Sequence, residues 1–502
     1  MDNLILAIQN VFSWNVLFVI AIASAYGIFC GAMPGISATL AIALMVPVTF
    51  YLQPVAAFAA IASTVAMAIF AGDIPGALMR IPGGPPSAAY ADEAYKMTLK
   101  GLGEQSLVIS LVVSVIGGVI GTIALSLSTT MLAKFALNFQ YYEYFWLAVM
   151  GLTTAALICS GQPVKGLISV CIGLMLSTVG YDMISGWPRF TFGISGLMEG
   201  IHFISALIGV FAVGEVCRQL TNPDPRSAIE MKSKGHMFKG IDRIVWKYKW
   251  QMMRGSVIGI IVGALPGAGS DIAAWISYGM SKKFSKEPEK FSTGHPEGIV
   301  AAAASNNAST CTTWVPALVF GIPGDSITAI VIGVLYLKGL EPGPTIFLQQ
   351  APLVYGIFVS FLLANLLMFP LGLLAIKLSK RLLLLPINMM MPIVLIFCII
   401  GSFAINNSLI GVVIILILGF VSFIMQENQF PVAPLILGMV MGPIVEENFM
   451  QAMIAANGNL FAFFSRPIAA TLGVVVLSCW ILPLLKIFMD QVKHRKGWRR
   501  RV

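Results

Sequence analysis

Long apolar blocks dominate this chain, and charged residues gather in the short segments between them. The longest stretch without a charged side chain runs from residue 3 to residue 72, which is 70 residues. An α-helix needs only about 20 apolar residues to cross a bilayer, and no soluble domain has an interior that buries so long an apolar stretch. The pattern therefore predicts an all-α polytopic membrane protein.

Several windows predict individual membrane helices. Five of them are long enough to cross: 105–133, 144–164, 299–324, 342–376 and 467–485. The window 382–426 is too long for one helix, so we expect two helices that turn near Asn406 and Asn407. The windows 166–181 and 428–445 are marginal for a crossing. In all we expect roughly ten to twelve hydrophobic elements, some of which do not cross completely.

Composition and charge add the orientation of the chain. Hydrophobic residues make up 58% and charged residues 11%, and the formal net charge of +9 is concentrated in two segments. Residues 218–254 hold nine Lys or Arg against three acids, and residues 486–502 hold seven against one. Basic clusters beside membrane helices are typical of cytoplasmic loops, where they attract anionic membrane lipid, and we expect no nucleic-acid partner. Because no basic residue precedes Arg80, we expect a periplasmic N-terminus and a cytoplasmic C-terminus.

The basic segment separates two halves that resemble each other. We predict a first membrane repeat at 1–217, a basic cytoplasmic linker at 218–253, a second membrane repeat at 254–485 and a basic cytoplasmic tail at 486–502. GAMPGISATLAIAL at 31–44 is echoed by GALPGAGSDIAAWI at 263–276, and IPGGPPS at 81–87 by IPGDSIT at 322–328. An odd number of crossings before the linker inverts the second repeat. Interrupted segments in corresponding positions of inverted repeats mark the binding sites of many secondary transporters.

Residues 255–280 predict a re-entrant hairpin rather than a complete span. Each arm around Pro266 and Gly267 has about 11–13 residues, or ~16–20 Å of helix, against ~30 Å of hydrocarbon. Proline breaks the helix there, and glycine lets the backbone approach a ligand. Amides at the start of the next helix favour an anion, and unpaired carbonyls favour a sodium ion. A purely structural kink is the alternative.

Polar residues precede the IPG turn of each half: two asparagines in the second half and two charged residues in the first. Asn306 and Asn307 lie in a run of small apolar residues, where an amide pair needs partners and can hold a carboxylate or ligate sodium. Asp73 and Arg80 precede the IPG turn at residues 81–83, and ionisable groups in membrane segments are functional candidates. The Arg80 guanidinium can engage a carboxylate. The alternatives are an Asp73–Arg80 pair that holds the turn, or snorkelling of Arg80 to the membrane surface.

Acidic residues also follow the second-half turns. Asp271 and Asp325 can each bind a cation, carry a proton, or cap the start of a half-helix. With Asp73 and Asn306 they form the candidate set for a coupling ion, either Na⁺ or H⁺. We expect no other metal and no organic cofactor, because the seven Cys and four His show no metal-ligand spacing. Without an HExxH or GxSxG motif, we do not expect an enzyme.

Ordered blocks of sequence give the chain a family resemblance. These blocks are GAMPG with the following VPVTF, RIPGGPPSAA, ALPGAGSDIAAWISYG, EGIVAAAASNNAS, and ALVFGIPGDSITA with LKGLEPGPTIF. Over about residues 20–470 the chain resembles the TctA family, the large membrane subunit of tripartite tricarboxylate transporters. The resemblance implies a secondary transporter of bacterial inner membranes that takes up carboxylates with a cation. It also implies two partners, a small TctB-like membrane subunit and a periplasmic TctC-like solute-binding protein.

The resemblance assigns substrate binding to the turns and to the double Asn. Together with Ser37 and Arg80, the candidate substrate-binding residues are Pro34, Gly35, Pro82, Gly83, Pro266, Gly267, Asn306, Asn307, Pro323 and Gly324.

The chain also departs from the family pattern at several positions. Ala302 and Ala303 stand where the family has Pro-Glu, Asp73 where it has Ser, Arg80 where it has Asn, and residues 93–96 read EAYK instead of Asp-Gly-Tyr-Pro. These departures bear on the substrate and the coupling ion. We expect a symporter for a small tri- or dicarboxylate, with sodium favoured. The alternatives are proton-coupled symport of another organic anion and a passive anion channel.

Overall fold

The structure is a computed structural model, and it describes most of the chain. The described residues are 2–33, 36–158, 163–182, 185–221, 237–382, 387–406 and 408–480. Pro34, Gly35, Asn407, residues 222–236 of the predicted linker and the whole predicted tail therefore lie outside the described residues.

The first half is a succession of helices with one small β-hairpin. Its helices are α1 (Asp2–Val11), α2 (Trp14–Ala32), α3 (Ala38–Tyr51), α4 (Pro54–Ala71), α5 (Asp73–Met79), α6 (Pro85–Leu99), α7 (Gly103–Ala136), α8 (Tyr141–Ile158), α9 (Pro163–Ser177), α10 (Phe203–Leu207) and α11 (Gly214–Thr221). A π-helical segment, Ile208–Val213, joins the last two. Between α9 and α10, the short strands β1 (Gly180–Tyr181) and β2 (Pro188–Arg189) pair antiparallel.

Helices are the regular secondary structure of the second half within its described residues. Its helices are α12 (Ile241–Lys247), α13 (Lys249–Gly263), α14 (Gly269–Lys283), α15 (Pro296–Thr312), α16 (Trp314–Phe320), α17 (Ser326–Leu337), α18 (Ile346–Gln349), α19 (Ala351–Leu382), α20 (Ile387–Asn406), α21 (Leu409–Glu427), α22 (Ala433–Ala455) and α23 (Pro467–Trp480). The predicted turn near Asn406 is confirmed, because α20 ends at that residue.

The helices agree with a polytopic membrane protein. Within the described residues, six helices are long and apolar enough to cross a membrane, and five shorter helices are also apolar. Together these are within the predicted ten to twelve hydrophobic elements. The helical bounds also extend into the predicted linker, since α11 continues to Thr221 and α13 begins at Lys249. The structure therefore assigns both ends of that segment to packed helices.

The window 299–324 is not one continuous span, which corrects the prediction. Helix α15 ends at Thr312, the short α16 follows, and the chain leaves the helix at Gly321. The cause is Pro316, because a proline ring clashes with the carbonyl four residues earlier, here that of Thr312, and offers no amide hydrogen. Pro75 has the same relation to Ala71, where α4 gives way to α5.

The resemblance between the halves extends to the backbone. Arg80 and Gly321 both end a short helix in the left-handed conformation, with φ of 60° and 68°, and an IPG segment follows each. After the next helix, Gly101 and Gly339 both have positive φ. The amides of these glycines and of the leucines that follow bond back to the preceding turn in the same way. The local structure around the IPG segments at 81–83 and 322–324 is thus duplicated.

Glycines hold equivalent pairs of helices together in the two halves. A Cβ added to Gly27 or Gly31 of α2 would lie 2.6 Å or 2.3 Å from the carbonyl oxygen of Thr64 or Ala68 on α4. In the second half, a Cβ on Gly259 of α13 would lie 2.2 Å from the Ser305 carbonyl oxygen on α15. Only glycine permits such close approach of two helix backbones.

The two halves are also interleaved. Helix α7 of the first half packs on α15 of the second, with Gly117 and Gly121 against the backbone of Ala304 and Ala308. Helix α19 of the second half packs reciprocally on α4 of the first. Each half therefore covers the broken helix of the other, so neither half closes its core alone.

The glycine contact predicts a position-specific effect on stability. Gly259→Ala should lower the free energy of unfolding by about 1–3 kcal/mol, because the methyl group forces α13 away from α15. The measurement is the thermal unfolding midpoint of the purified protein in detergent.

The matched control is Gly279→Ala in α14, where an added Cβ meets nothing within 4 Å. That change should leave stability unchanged or raise it by up to about 1 kcal/mol through helix propensity. Equal destabilisation by both variants would contradict the packing argument.

Candidate functional site

Turns from both halves line one cavity of about 550 Å³. The first half contributes residues 37–39, Gly72 and residues 81–88, and the second half contributes residues 270–271 and 326–327. Of the predicted substrate-binding and coupling-ion residues, Ser37, Pro82, Gly83 and Asp271 therefore line the same space. The structure thus brings these four residues, which come from distant parts of the sequence, to the same cavity.

Five helices begin at the wall of this cavity. The starts of α3, α6, α14, α17 and α22 all contribute lining residues. Amides in the first turn of a helix lack intrahelical acceptors and carry a partial positive charge. Side chains satisfy some of them: Ser37 accepts from the Leu40 amide at 3.2 Å, and Asp325 accepts from the Thr328 amide at 2.8 Å. The remaining field of these helix ends favours a negatively charged group in the cavity.

The charged side chains of the wall come partly from residues that the sequence analysis did not single out. Glu215 and Arg218 of α11 line the cavity as an ion pair of 2.7 Å, with Gln219 bonded to the same carboxylate. The sequence analysis assigned Arg218 to the basic linker because it begins a run of basic residues. Its spacing of three residues from Glu215 was the available signal for a helix-borne pair.

The second-half turns lie just behind the cavity wall and contact each other. The Gly267 amide donates to the Pro323 carbonyl at 3.3 Å, and the Thr154 hydroxyl donates to the Pro266 carbonyl. A Cβ on Gly324 would lie 2.7 Å from the Thr313 carbonyl oxygen. The four turn residues do not line the cavity themselves, and each lies within three residues of the start of α14 or α17, whose first turns do.

Asp325 caps a helix, which was one of its three predicted roles. Its carboxylate accepts hydrogen bonds from both the amide and the hydroxyl of Thr328. The Thr328 hydroxyl oxygen in turn accepts a hydrogen bond from the Asp325 amide. Asp271 lies within Coulombic range of Asp325 and is exposed to the cavity.

Asn306 and Asn307 do not line the cavity, which corrects the picture of an anion held directly between them and the turns. Both are buried on α15. The Asn307 amide donates to Ser114 Oγ at 2.7 Å and to the Ala303 carbonyl at 3.1 Å. Among the described residues, the oxygen and nitrogen of the Asn306 amide have no hydrogen-bond partner.

Asp73 lies beside Asn306 in the same polar cluster. Its carboxylate accepts from Tyr90 at 2.7 Å and from Ser110 at 2.5 Å. The Tyr90 hydroxyl also faces Asn306, although the geometry does not reach a hydrogen bond. The serines of α7 at positions 106, 110 and 114 recur every four residues, and that spacing was a signal for a polar stripe on one helix face.

Arg80 points away from both the cavity and this cluster. Its guanidinium pairs with Asp92 at 2.7 Å and is largely exposed. Arg80 does not line the cavity, and it pairs with Asp92 rather than with Asp73.

Comparison with known proteins identifies the family. The family model "Tripartite tricarboxylate transporter TctA family" matches residues 17–437. The chain belongs to the TctA family. It is therefore a membrane component of a transport system rather than an enzyme, and it belongs to the large-subunit class of tripartite tricarboxylate transporters, a family that works with TctB and TctC partners.

Relatives of this TctA protein occur in Agrobacterium vitis. The protein named "Uncharacterized 52.8 kDa protein in TAR-I ttuC' 3'region" is 35% identical over 482 residues, which cover 93% of this chain and 94% of the relative. "Uncharacterized protein in TAR-II ttuC' 3'region" is 36% identical over 237 residues, or 47% of this chain and 98% of the relative. No solved structure matches the chain.

One departure of this TctA protein from the family pattern has a structural role. Glu93 is fully buried, and its carboxylate accepts from the Tyr278 hydroxyl at 2.8 Å and from the amides of Ser292, Gly294 and His295 at 2.5–2.8 Å. Four donors satisfy a buried carboxylate without a cation. Glu93 thereby fastens α6 of the first half to a loop of the second.

Gly83 of this TctA protein offers a test of the cavity wall. Gly83→Ala should reduce transport about tenfold to 100-fold, the range expected when a binding group is displaced by about 1 Å. The reason is that the added Cβ would lie 2.5 Å from the Gly72 Cα, which forces the IPG turn out of place. The measurement is transport activity per amount of protein in the membrane.

Gly84→Ala is the matched control, since its added Cβ meets only the Pro86 ring, at 3.6 Å, and its backbone is extended. It should keep most of the activity. A loss as large as that of Gly83→Ala would show that the close contact is not the cause.

Proposed function

We propose that this TctA protein imports a small carboxylate of the tri- or dicarboxylate type by cation symport, with sodium as the favoured coupling ion. The observation that carries this proposal is the cavity at which five helices from both halves begin. Backbone amides at helix starts bind anions without needing a cationic side chain. A cavity of about 550 Å³ also falls within the size range of small-molecule sites.

The charges around the cavity favour transport of the anion together with a cation. Arg218 is already paired with Glu215, and Asp271 adds a carboxylate to the wall. A substrate carboxylate that enters beside Asp271 is repelled unless a cation or proton accompanies it. A passive anion channel gains nothing from an acidic residue at its binding site.

The broken helices support an inverted-repeat arrangement with re-entrant hairpins. Helices α13 and α14 have 15 residues each, or about 22 Å of helix, which is less than the ~30 Å of hydrocarbon. We propose that the Pro266-Gly267 turn between these helices and its counterpart in the first half reach the interior of the bacterial inner membrane from opposite sides. In this arrangement the N-terminus is periplasmic and the basic linker and C-terminus are cytoplasmic.

The family membership supports two protein partners for this chain. We propose a TctB-like small membrane subunit and a periplasmic TctC-like binding protein that delivers the carboxylate. Anionic lipid on the cytoplasmic side is the further expected contact of the basic linker and tail.

A charge substitution at the start of α6 tests the anion site. Ala88 lines the cavity in the first turn of that helix. Ala88→Asp should reduce carboxylate uptake at least about tenfold through repulsion of the anion, although an acid there is favourable for the helix. The measurement is uptake of a panel of labelled di- and tricarboxylates by cells that carry the complete transport system.

Ala88→Asn is the control of nearly the same size without the charge, and its uptake should exceed that of Ala88→Asp severalfold. Equal losses in the two variants, with equal amounts of protein in the membrane, would mean that size and not charge is responsible.

Removal of sodium tests the coupling ion. Replacement of sodium by choline at fixed pH should abolish accumulation of the carboxylate against its gradient. Unchanged accumulation that instead follows the pH gradient would establish proton coupling, and uptake that never exceeds equilibrium would establish a channel.

A further inference from the structure

We propose that Asp73, Ser110, Tyr90 and Asn306 form the binding site for the coupling sodium ion, apart from the cavity that holds the anion. The proposal rests on the symport function proposed above and assigns its ion to particular oxygens. Four helices supply these side chains: α5, α7, α6 and α15.

The Asp73 carboxylate is buried without a basic partner. Among the described residues it forms no ion pair with Lys, Arg or His, and only the hydroxyls of Tyr90 and Ser110 bond to it. A buried negative charge that lacks a counter-charge is costly. Glu93 shows the contrast, because three backbone amides and a hydroxyl satisfy that carboxylate.

Asn306 provides a second, independent indication of a ligand. Its side chain is fully buried, and both polar atoms of its amide lack hydrogen-bond partners in the part of the chain that the structure describes. Buried amide groups are nearly always hydrogen-bonded in folded proteins. An ion bound to the amide oxygen satisfies that atom, and the Tyr90 hydroxyl facing it belongs to the same cluster as Asp73.

The chemistry of this set matches a monovalent hard cation. One carboxylate, two hydroxyls and one amide offer oxygen ligands only, which suit alkali and alkaline-earth ions rather than zinc or copper. Within the described residues, no group of three or more His, Cys, Asp and Glu side chains forms a metal site. A single carboxylate balances a single positive charge, so sodium fits better than a divalent ion.

The other acidic candidates have different surroundings. Asp325 is engaged in the cap of α17, and Asp271 is exposed to the cavity. Of these three acidic candidates, Asp73 is the one that is buried, lacks a counter-charge and has neutral oxygens beside it.

The site is connected directly to the cavity wall. Asp73 follows Gly72, which lines the cavity and accepts the Gly83 amide at 3.0 Å. Tyr90 belongs to α6, whose first turn also lines the cavity. An ion bound to both Asp73 and Tyr90 therefore acts on the IPG turn. This gives a route by which sodium binding changes the affinity of the cavity for the anion.

Sodium binding to the purified full chain tests this assignment without a substrate. We expect sodium chloride to raise the thermal unfolding midpoint saturably relative to equal choline chloride, and radioactive sodium to bind. Asp73→Asn should abolish both effects. Ser110→Ala should weaken sodium binding at least about tenfold, which corresponds to 1.4 kcal/mol.

Ser106→Ala is the matched control, because Ser106 lies one turn earlier on α7, is also buried, and donates only to the Gly103 carbonyl of its own helix. It should bind sodium as the unmodified protein does. The serine pair keeps the test decisive even if Asp73→Asn does not fold.

Wild-type affinity in Asp73→Asn, equal affinities in the two serine variants, or stabilisation that follows pH and not sodium would overturn the site. Intact sodium binding combined with sodium-independent uptake would instead refute the symport function and leave the site standing.

Discussion

The contact on which the rest of this structure depends is the close packing of glycine-bearing helices on the helices that lead to the IPG turns. Gly27 and Gly31 bring α2 against α4, and Gly259 brings α13 against α15, with carbonyl oxygens where a Cβ would otherwise stand. A lipid bilayer provides no hydrophobic force between helices, so close backbone contact of this kind is what holds them. In the second half, this contact places the turn at Pro266 and Gly267 beside the IPG turn.

Proline residues break these packed helices and so create new helix starts near the cavity. Pro75 and Pro316 end one helix and begin a short one, and each chain segment leaves the helical conformation at Arg80 or Gly321. Interrupted backbone inside a membrane survives only where protein or a cavity surrounds it. The interleaving of α7 with α15 and of α19 with α4 provides that cover, while the new helix starts remain open to the cavity.

Buried carboxylates serve two different purposes in this protein. Glu93 has four donors and fastens one half to the other, whereas Asp73 has two hydroxyls and an unsatisfied amide nearby. Their burial is similar, so burial alone does not distinguish structure from function. The number and charge of the surrounding groups makes the distinction, and both residues lie where the chain departs from the family pattern.

The sequence by itself determined the features that act locally along the chain. Apolar blocks define the helices, proline defines their breaks, and the paired PG and IPG segments define the duplication, because these properties depend on neighbouring residues. Only the tertiary structure decided which distant groups meet. Asn306 lies near Asp73 and not at the anion cavity, Arg80 is largely exposed, and Arg218 lines the cavity. Such juxtapositions depend on how helices cross in three dimensions, and a single sequence carries no measure of those crossings.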